Sequence, residues 1–224
     1  MRTIFHGSKN VVEAPKYGLG NPHNDYGLGF YCTEHVDMAK EWAVGFNHSG
    51  YANEYELDDT GLKILDLDSE GFTVLHWLSV LLQNRYFDVR APLANEARAY
   101  IVETFPVSMR GVDIVEGYRA DDSYFSFAQD FISGAISYRQ LANAMHLGSL
   151  GRQVVLTSKR AFGGIEFKGA EPAPKELWLP RRELRDSQAR GTYFDKVRNA
   201  RKPGDLFIQQ IIDEKIGPDD ERLR

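Results

Sequence analysis

Few side chains in this sequence have the types and spacing that chemistry needs. The six histidines, His6, His23, His35, His48, His76 and His146, are scattered. No H-E-x-x-H and no paired Cys or His spacing marks a zinc site. The single cysteine, Cys32, has nothing beside it that would lower its thiol pKa, so it reads as a small buried hydrophobe. Gly18-Leu19-Gly20 runs on to His23 where G-x-G-x-x-G needs its third glycine, and no G-x-x-x-x-G-K-[ST] occurs. Neither a Rossmann nucleotide site nor a P-loop is expected. Two stretches stand apart. His6 closes a short strand and is followed by Gly7 and Ser8. DYGLGFYCTEHVDMAKEW, Asp25 to Trp42, sets Gly27 and Gly29 around Leu28, directly ahead of Phe30 and Tyr31. Those two glycines are either turn residues or backbone kept bare so that something can approach it.

The elements that must position these residues are short and mixed. Strands are expected at Arg2 to Phe5, Gly29 to Cys32, Ala52 to Leu57, Lys63 to Leu67, Val112 to Gly117 and Gln153 to Thr157, with a weaker one at Phe162 to Phe167. Helices are expected from Thr33 as N-cap to about Phe46, from Ser69 as cap over Glu70 to Asn84, over Ala94 to Thr104, and at Phe125 to Phe131 and Tyr138 to His146. Without a regular βαβα alternation, the fold class is α+β rather than a doubly wound sheet. The 224 residues, 42% hydrophobic, allow one sizeable core with an appendage. We expect one domain over residues 1–170 and, after the Pro-rich Glu171 to Pro174, a charged, helical extension over 171–224.

Composition excludes several classes. No stretch approaches the roughly 20 apolar residues of a membrane span. MRTIFHGSKN has no apolar h-region, so no secretion signal is expected. One cysteine fits a reducing cytoplasm. A net charge of -5 argues against indiscriminate binding to a phosphate backbone.

His6-Gly7-Ser8, a loop, then Gly27-Leu28-Gly29-Phe30-Tyr31 and a helix: this order resembles the nicotinamide-binding half of the ADP-ribosyltransferase fold, in its poly(ADP-ribose) polymerase and diphtheria-toxin-like branch. In that branch W-H-G-S is followed by G-K-G-I-Y-F-A and a helix with a second tyrosine, eleven positions after the first. Here that position is Trp42. The branch's third element is a strand opening with a catalytic glutamate. Its counterpart is Gly151-Arg152-Gln153-Val154-Val155-Leu156, which puts Gln153 in the glutamate position. The chain also resembles, over about residues 2 to 170, a bacterial family described only as a domain of unknown function and grouped with the ADP-ribosyltransferases. HGSK, NDYGLGFYCTE, KEWA and LG-x-Q-V-V-L carry that likeness, and some such proteins look like toxins of toxin–antitoxin pairs.

The resemblance implies a split β-sheet core with flanking helices and a His6–Tyr31–Gln153 triad. It implies cleavage of the N-glycosidic bond of NAD+, used as co-substrate without a metal, through an oxocarbenium-like ribose whose electronic demand is that of glycoside hydrolysis. By that likeness, Gly7 offers its N–H and C=O to the carboxamide. His6 donates to an adenosine-side ribose hydroxyl, with help from Ser8. Tyr31 and Trp42 sandwich the nicotinamide, each such contact worth about 0.5–1.5 kcal/mol beyond burial. Gly27 and Gly29 let the loop pass close to the dinucleotide. Two departures stand out. Ala39 occupies the place of a serine that bonds the carboxamide in the polymerases. Gln153 brings an amide oxygen but no charge, and charge-assisted bonds are roughly twice as strong as neutral ones. Glu103, Asp121, Asp122 and Glu166 are unranked candidates for a compensating carboxylate.

Two further features carry alternatives. Arg119 either binds a pyrophosphate or pairs with Asp121 or Asp122. Arg181 to Lys202 carries eight basic residues against three acidic ones, a local +5. That is either a solvated helix face or a surface for an antitoxin or other macromolecule. The expected function is a mono-ADP-ribosyltransferase acting on a protein or nucleic-acid acceptor, provided that Gln153 supports transfer. The rivals are a catalytically silent NAD- or ADP-ribose-binding module and an NAD+ glycohydrolase.

Overall fold

The computed structural model describes residues 1–120, 122–147 and 152–223, without the side chains of Asp122 and Ser123. It is a mixed α+β structure with two sheets and, among the described residues, eight α-helices. No described helix is long and apolar enough to cross a membrane.

The first sheet has three antiparallel strands in the order β1 (Arg2–Ser8), β3 (Gly50–Leu57), β7 (Ile165–Ala173). The second has four, in the order β2 (Phe30–Cys32), β6 (Arg152–Leu156), β5 (Ile114–Tyr118), β4 (Ile64–Asp66), with only β4 and β5 parallel. Among the described residues, a pair of backbone bonds links the sheets: Phe5 N–H donates to Thr33 C=O at 2.7 Å and Thr33 N–H to Phe5 C=O at 2.9 Å. Beyond Phe5 the strands β1 and β2 part, and His6, Gly7 and Ser8 lie along the opening.

That link explains why the first helix starts late. α1 spans Val36–Ala43, not Thr33 onward. Thr33 has its N–H and C=O committed to Phe5, so it ends a strand instead of capping a helix. α2 (Val74–Asn84) is likewise shorter than expected at its start. Its cap is Thr73, whose backbone N–H donates to His76 Nδ1 at 3.0 Å in a capping box. α2 is buried from Val74 to Leu82 and forms the centre of the main core. α3 (Pro92–Thr104), α4 (Asp122–Ile132) and α5 (Tyr138–Ala144) pack around it. A smaller core between the sheets contains Ile4, Cys32, Tyr55 and Leu156. Burial pushes the Cys32 thiol up, which suits its role as a packed hydrophobe.

The strand expected at Phe162 to Phe167 is a short helix, α6 (Lys159–Gly163), followed by β7. β7 runs to Ala173, so the boundary expected at 170/171 falls inside a paired strand. α7 (Lys175–Thr192), a π-helical turn (Tyr193–Arg198) and α8 (Ile208–Asp213) then return to the body. Tyr193, Val197, Leu206, Ile208 and Ile211 join the main core. The Tyr193 ring stacks on Phe127 at 3.9 Å and its hydroxyl donates to Asp130 at 2.6 Å. The charged segment therefore completes the core instead of extending from it.

Candidate active site

The split between β1 and β2 is held open by a side chain. His6 Nδ1 lies 2.8 Å from Tyr31 C=O, and the His6 ring rests 4.3 Å from Phe30. A carbonyl can only accept, so Nδ1 carries the proton. Burial lowers the His6 pKa, with the Tyr31 carbonyl opposing, so the ring is neutral near pH 7. Its free nitrogen, Nε2, is then an acceptor. In this tautomer Nε2 has no hydrogen to donate.

Gly7 is glycine for a reason on the protein's own side. A Cβ there would stand 2.0 Å from Ala39 C=O and 2.8 Å from Trp42 Cβ, so the residue lets α1 cross β1 closely. Its peptide groups point the other way. Phe5 turns its N–H and C=O toward Thr33, and in a strand residue i+2 repeats that direction. The Gly7 N–H and C=O thus face the opening. Ser8 is engaged locally, its hydroxyl donating to Asn10 C=O at 2.7 Å and accepting from Asn53 Nδ2 at 2.9 Å.

Gly27 and Gly29 are explained by the chain itself. Gly27 has φ +75°, a turn conformation. A Cβ on Gly29 would meet Val155 Cγ1 at 2.5 Å. The turn they make presents Gly27 C=O to the Tyr31 hydroxyl at 2.6 Å, while Tyr26 N–H donates to the same oxygen at 3.0 Å. Tyr31 is thereby pinned with its ring between two cavities.

The larger cavity, about 580 Å³, lies beside His6, Gly29 and Phe30 under a loop containing Tyr17, with Phe162 opposite. The second, about 390 Å³, is lined by Trp42, Asp25, Arg85, Arg119, Gln153 and Arg182. Tyr31 and Asn24 line both. Of the expected site residues, Tyr31, Trp42, Arg119 and Gln153 thus meet around one space. Gly7, Ser8 and Gly27 line neither.

The Arg119 guanidinium sits 4.5 Å over the Trp42 ring, covering one of its faces, and reaches Met38 Sδ at 3.1 Å. The Trp42 Nε1–H is buried without a partner.

Gln153 is the second residue of β6 and is only 5% exposed. Its Nε2 donates to Asp25 Oδ2 at 3.1 Å, and its Oε1 is buried without a partner. Asp25, 4% exposed, also accepts from Ala120 N–H at 2.9 Å and from Arg85 Nη1 at 2.9 Å. Burial raises the Asp25 pKa, while Ala120, Arg85, Gln153 and Arg119 pull it back. Three donors converge on its two oxygens, the arrangement of an anion.

Asp25 is therefore a carboxylate beside Gln153, and neither of the two described candidates, Glu103 and Glu166, is. Glu103 is exposed on α3, and Glu166 pairs with Lys168 Nζ at 2.9 Å on the first sheet. Asp121 and the Asp122 side chain lie outside the described residues, as does Gly151 of the β6 motif. Asp25 was visible in NDYGLGFY as a carboxylate directly before a buried aromatic turn, although no motif assigned it a role. Arg85 carried no local signal, and Arg182 stood out only as one of the basic residues of Arg181 to Lys202. Much of the Arg181 to Lys202 segment is engaged: Arg185 with Glu41 at 2.7 Å, Arg190 with Asp186 at 2.9 Å, Arg198 with Asp130 at 3.7 Å. Among the described residues, no three His, Cys, Asp or Glu side chains cluster as a metal site.

No curated protein and no solved structure matches the chain. A family model described as "Protein of unknown function (DUF3990)" matches residues 2–167, a span that runs from β1 to the first three residues of β7. On that match, the chain belongs to the DUF3990 family.

Proposed function

We propose that this protein is an NAD+-dependent mono-ADP-ribosyltransferase that cleaves the nicotinamide–ribose bond and transfers ADP-ribose to a macromolecular acceptor. One observation carries the reading: Tyr31, Trp42 and the unpartnered Gln153 Oε1 converge on a single cavity beside the sheet split. A buried acceptor with no partner costs about 1–3 kcal/mol, and a ribose hydroxyl would satisfy it. The Gly7 peptide along the split suits a carboxamide, which needs one donor and one acceptor. The two adjoining cavities suit the two halves of a dinucleotide. The apolar one, with Tyr17, Phe30 and Phe162, would take the adenine end, and His6 Nε2 would accept from its ribose. The split-sheet core of the ADP-ribosyltransferases is supported by the order of the triad, on β1, β2 and β6.

A second reading, a silent NAD- or ADP-ribose-binding module, is favoured by Arg119 lying over Trp42. Hydrolysis to free ADP-ribose is a third outcome of the same chemistry. A toxin role with a protein partner on α7 would place that partner at the cavity mouth, since Arg182 of α7 lines it.

The test is incubation with labelled NAD+ and with protein and nucleic-acid acceptors, alongside a Gln153→Ala variant. Label fixed on an acceptor by the wild type and lost in the variant is the expected result. Free ADP-ribose alone would mean hydrolysis. Binding without turnover would mean a silent module, and no NAD+ binding at all would end the reading.

A further inference from the structure

We propose that Asp25 and Gln153 together act as one displaced carboxylate: Asp25 holds the negative charge, and the Gln153 amide carries its effect to the cavity. The proposal rests on the function above and assigns Asp25 the part of a positioning residue.

The geometry allows one amide orientation. Asp25 Oδ2 can only accept, so Gln153 must turn Nε2 toward it, at 3.1 Å. The opposite orientation would set two acceptors against each other. Oε1 is therefore turned away from Asp25 and is buried without a partner, in a side chain that lines the cavity. Ala120 N–H and Arg85 fix Asp25 from the loop after β5 and from the end of α2. The charged and titratable groups around the pair are Arg85, Arg119, Tyr26 and Tyr31, with Arg182 from α7 lining the same cavity. An amide whose N–H is bonded to an anion gathers negative charge on its oxygen, and linked bonds strengthen one another by roughly 10–30% each. The Oε1 of this cavity-lining side chain is thus a stronger acceptor than an isolated glutamine would supply. Buried in the low-dielectric wall, the carboxylate also adds a long-range attraction for a developing ribosyl cation.

The pair makes an opposite-order prediction. Moving the charge from position 25 to position 153 should preserve function only if both positions change. The experiment compares wild type, Asp25→Asn, Gln153→Glu and the double variant in two readouts. The first is thermal stability against pH. Gln153→Glu places two carboxylates in hydrogen-bond contact, so one holds its proton above the usual range in the folded chain. The folded state then binds more protons than the unfolded one, and stability falls as pH rises from about 5 to 8. The double variant should lack that fall. Asp25→Asn weakens the bond from Ala120 N–H by the same amount with or without Gln153→Glu, so that change cancels in the cycle.

The second readout is NAD+ turnover with separate kcat and KM. Asp25→Asn should lose roughly 10- to 100-fold in kcat, the rate equivalent of a charge-assisted bond, with KM changed less than about threefold. The double variant should recover at least about tenfold over Asp25→Asn. Additive effects in the stability cycle would overturn the pairing. Wild-type kcat in Asp25→Asn, or a gain in kcat from Gln153→Glu alone, would overturn the assignment to Asp25. If no form binds NAD+, the proposed function fails, and the stability cycle still decides the pair.

Discussion

The two cavities that share Tyr31 are built from opposite materials. The larger one is walled by the loop containing Pro15, Gly18 and Gly20 and by aromatic rings: Tyr17 meets Phe162 edge-on at 5.6 Å, and Phe30 lies 5.9 Å from Phe162. The smaller one is walled by ionic and amide groups tied into one another around Asp25. Apolar contacts are non-directional, so the first cavity can adjust to its occupant. A buried polar network has few alternative arrangements of comparable energy, so the second is fixed in advance. In a transferase, the end that binds tolerates adjustment, and the end that reacts needs preorganisation.

Tyr31 and Asn24 line both cavities, and removing the Tyr31 ring should have the largest effect. Tyr31→Ala deletes the dividing ring and frees both Gly27 C=O and Tyr26 N–H. We expect a loss of about 2 kcal/mol or more in stability, below the range for fully buried aromatics because the ring is half-buried. NAD+ affinity should fall at least about 100-fold, since stacking and both cavity walls go together. Tyr31→Phe separates the two roles. It keeps the ring and removes the hydroxyl's bonds, so it should retain most of the affinity with about 1 kcal/mol less stability. Calorimetric titration with NAD+ and thermal melts of both variants measure this.

The next perturbation is confined to the ionic cavity. Arg85→Ala removes one of the three donors to Asp25. Breaking a buried pair typically costs about 3–5 kcal/mol, but the Arg85 side chain is 27% exposed and water can partly replace it. About 1–3 kcal/mol is expected. The pH dependence fixes the cause. Without Arg85 the folded Asp25 carboxyl, already raised by burial, rises further. The folded chain then holds a proton that the unfolded chain has released, so the variant loses stability as pH rises above about 4. Melts at pH 5 and pH 8 should show the larger deficit at pH 8. An equal deficit at both would mean that Arg85 acts by packing on Phe125, whose ring lies 5.1 Å from its guanidinium.

The same contrast explains what the sequence made legible. Tyr31 and Gln153, which line one cavity, and His6, which lines the other, each sit in a short motif whose neighbours are local. α2 was readable from its apolar stripe. Asp25 was not, because its partners stand 60, 95 and 128 positions away, at Arg85, Ala120 and Gln153. Nothing near Asp25 in the chain distinguishes a buried anion from a turn aspartate. Thr33 looked like a cap because its backbone bonds to Phe5 are tertiary. β7 was obscured by its half-exposed pattern and by Pro172, which an edge strand tolerates and a central strand does not. The C-terminal segment is helical as expected, but its packing was hidden, because Trp178, Ala189, Tyr193 and Val197 are sparse apolar residues among many charges, yet they are the buried ones.

The smallest expected effect belongs to the adjustable cavity. Phe162 is half-buried at its rim, touching Tyr17 and Phe30 through ring edges. Phe162→Ala should cost about 1 kcal/mol in NAD+ binding, roughly a fivefold rise in KM. The Asp25–Gln153 network is built from other residues, so kcat should stay within about twofold of wild type, as for an interaction equal in ground and transition states. The comparison with Asp25→Asn is then a split in kinetic constants: one variant moves KM, the other kcat. If Phe162→Ala lowered kcat as Asp25→Asn is expected to, the two cavities would be one mechanical unit. Adjustment in the aromatic rim would then reach the reacting end through Tyr31, whose ring is the wall they share.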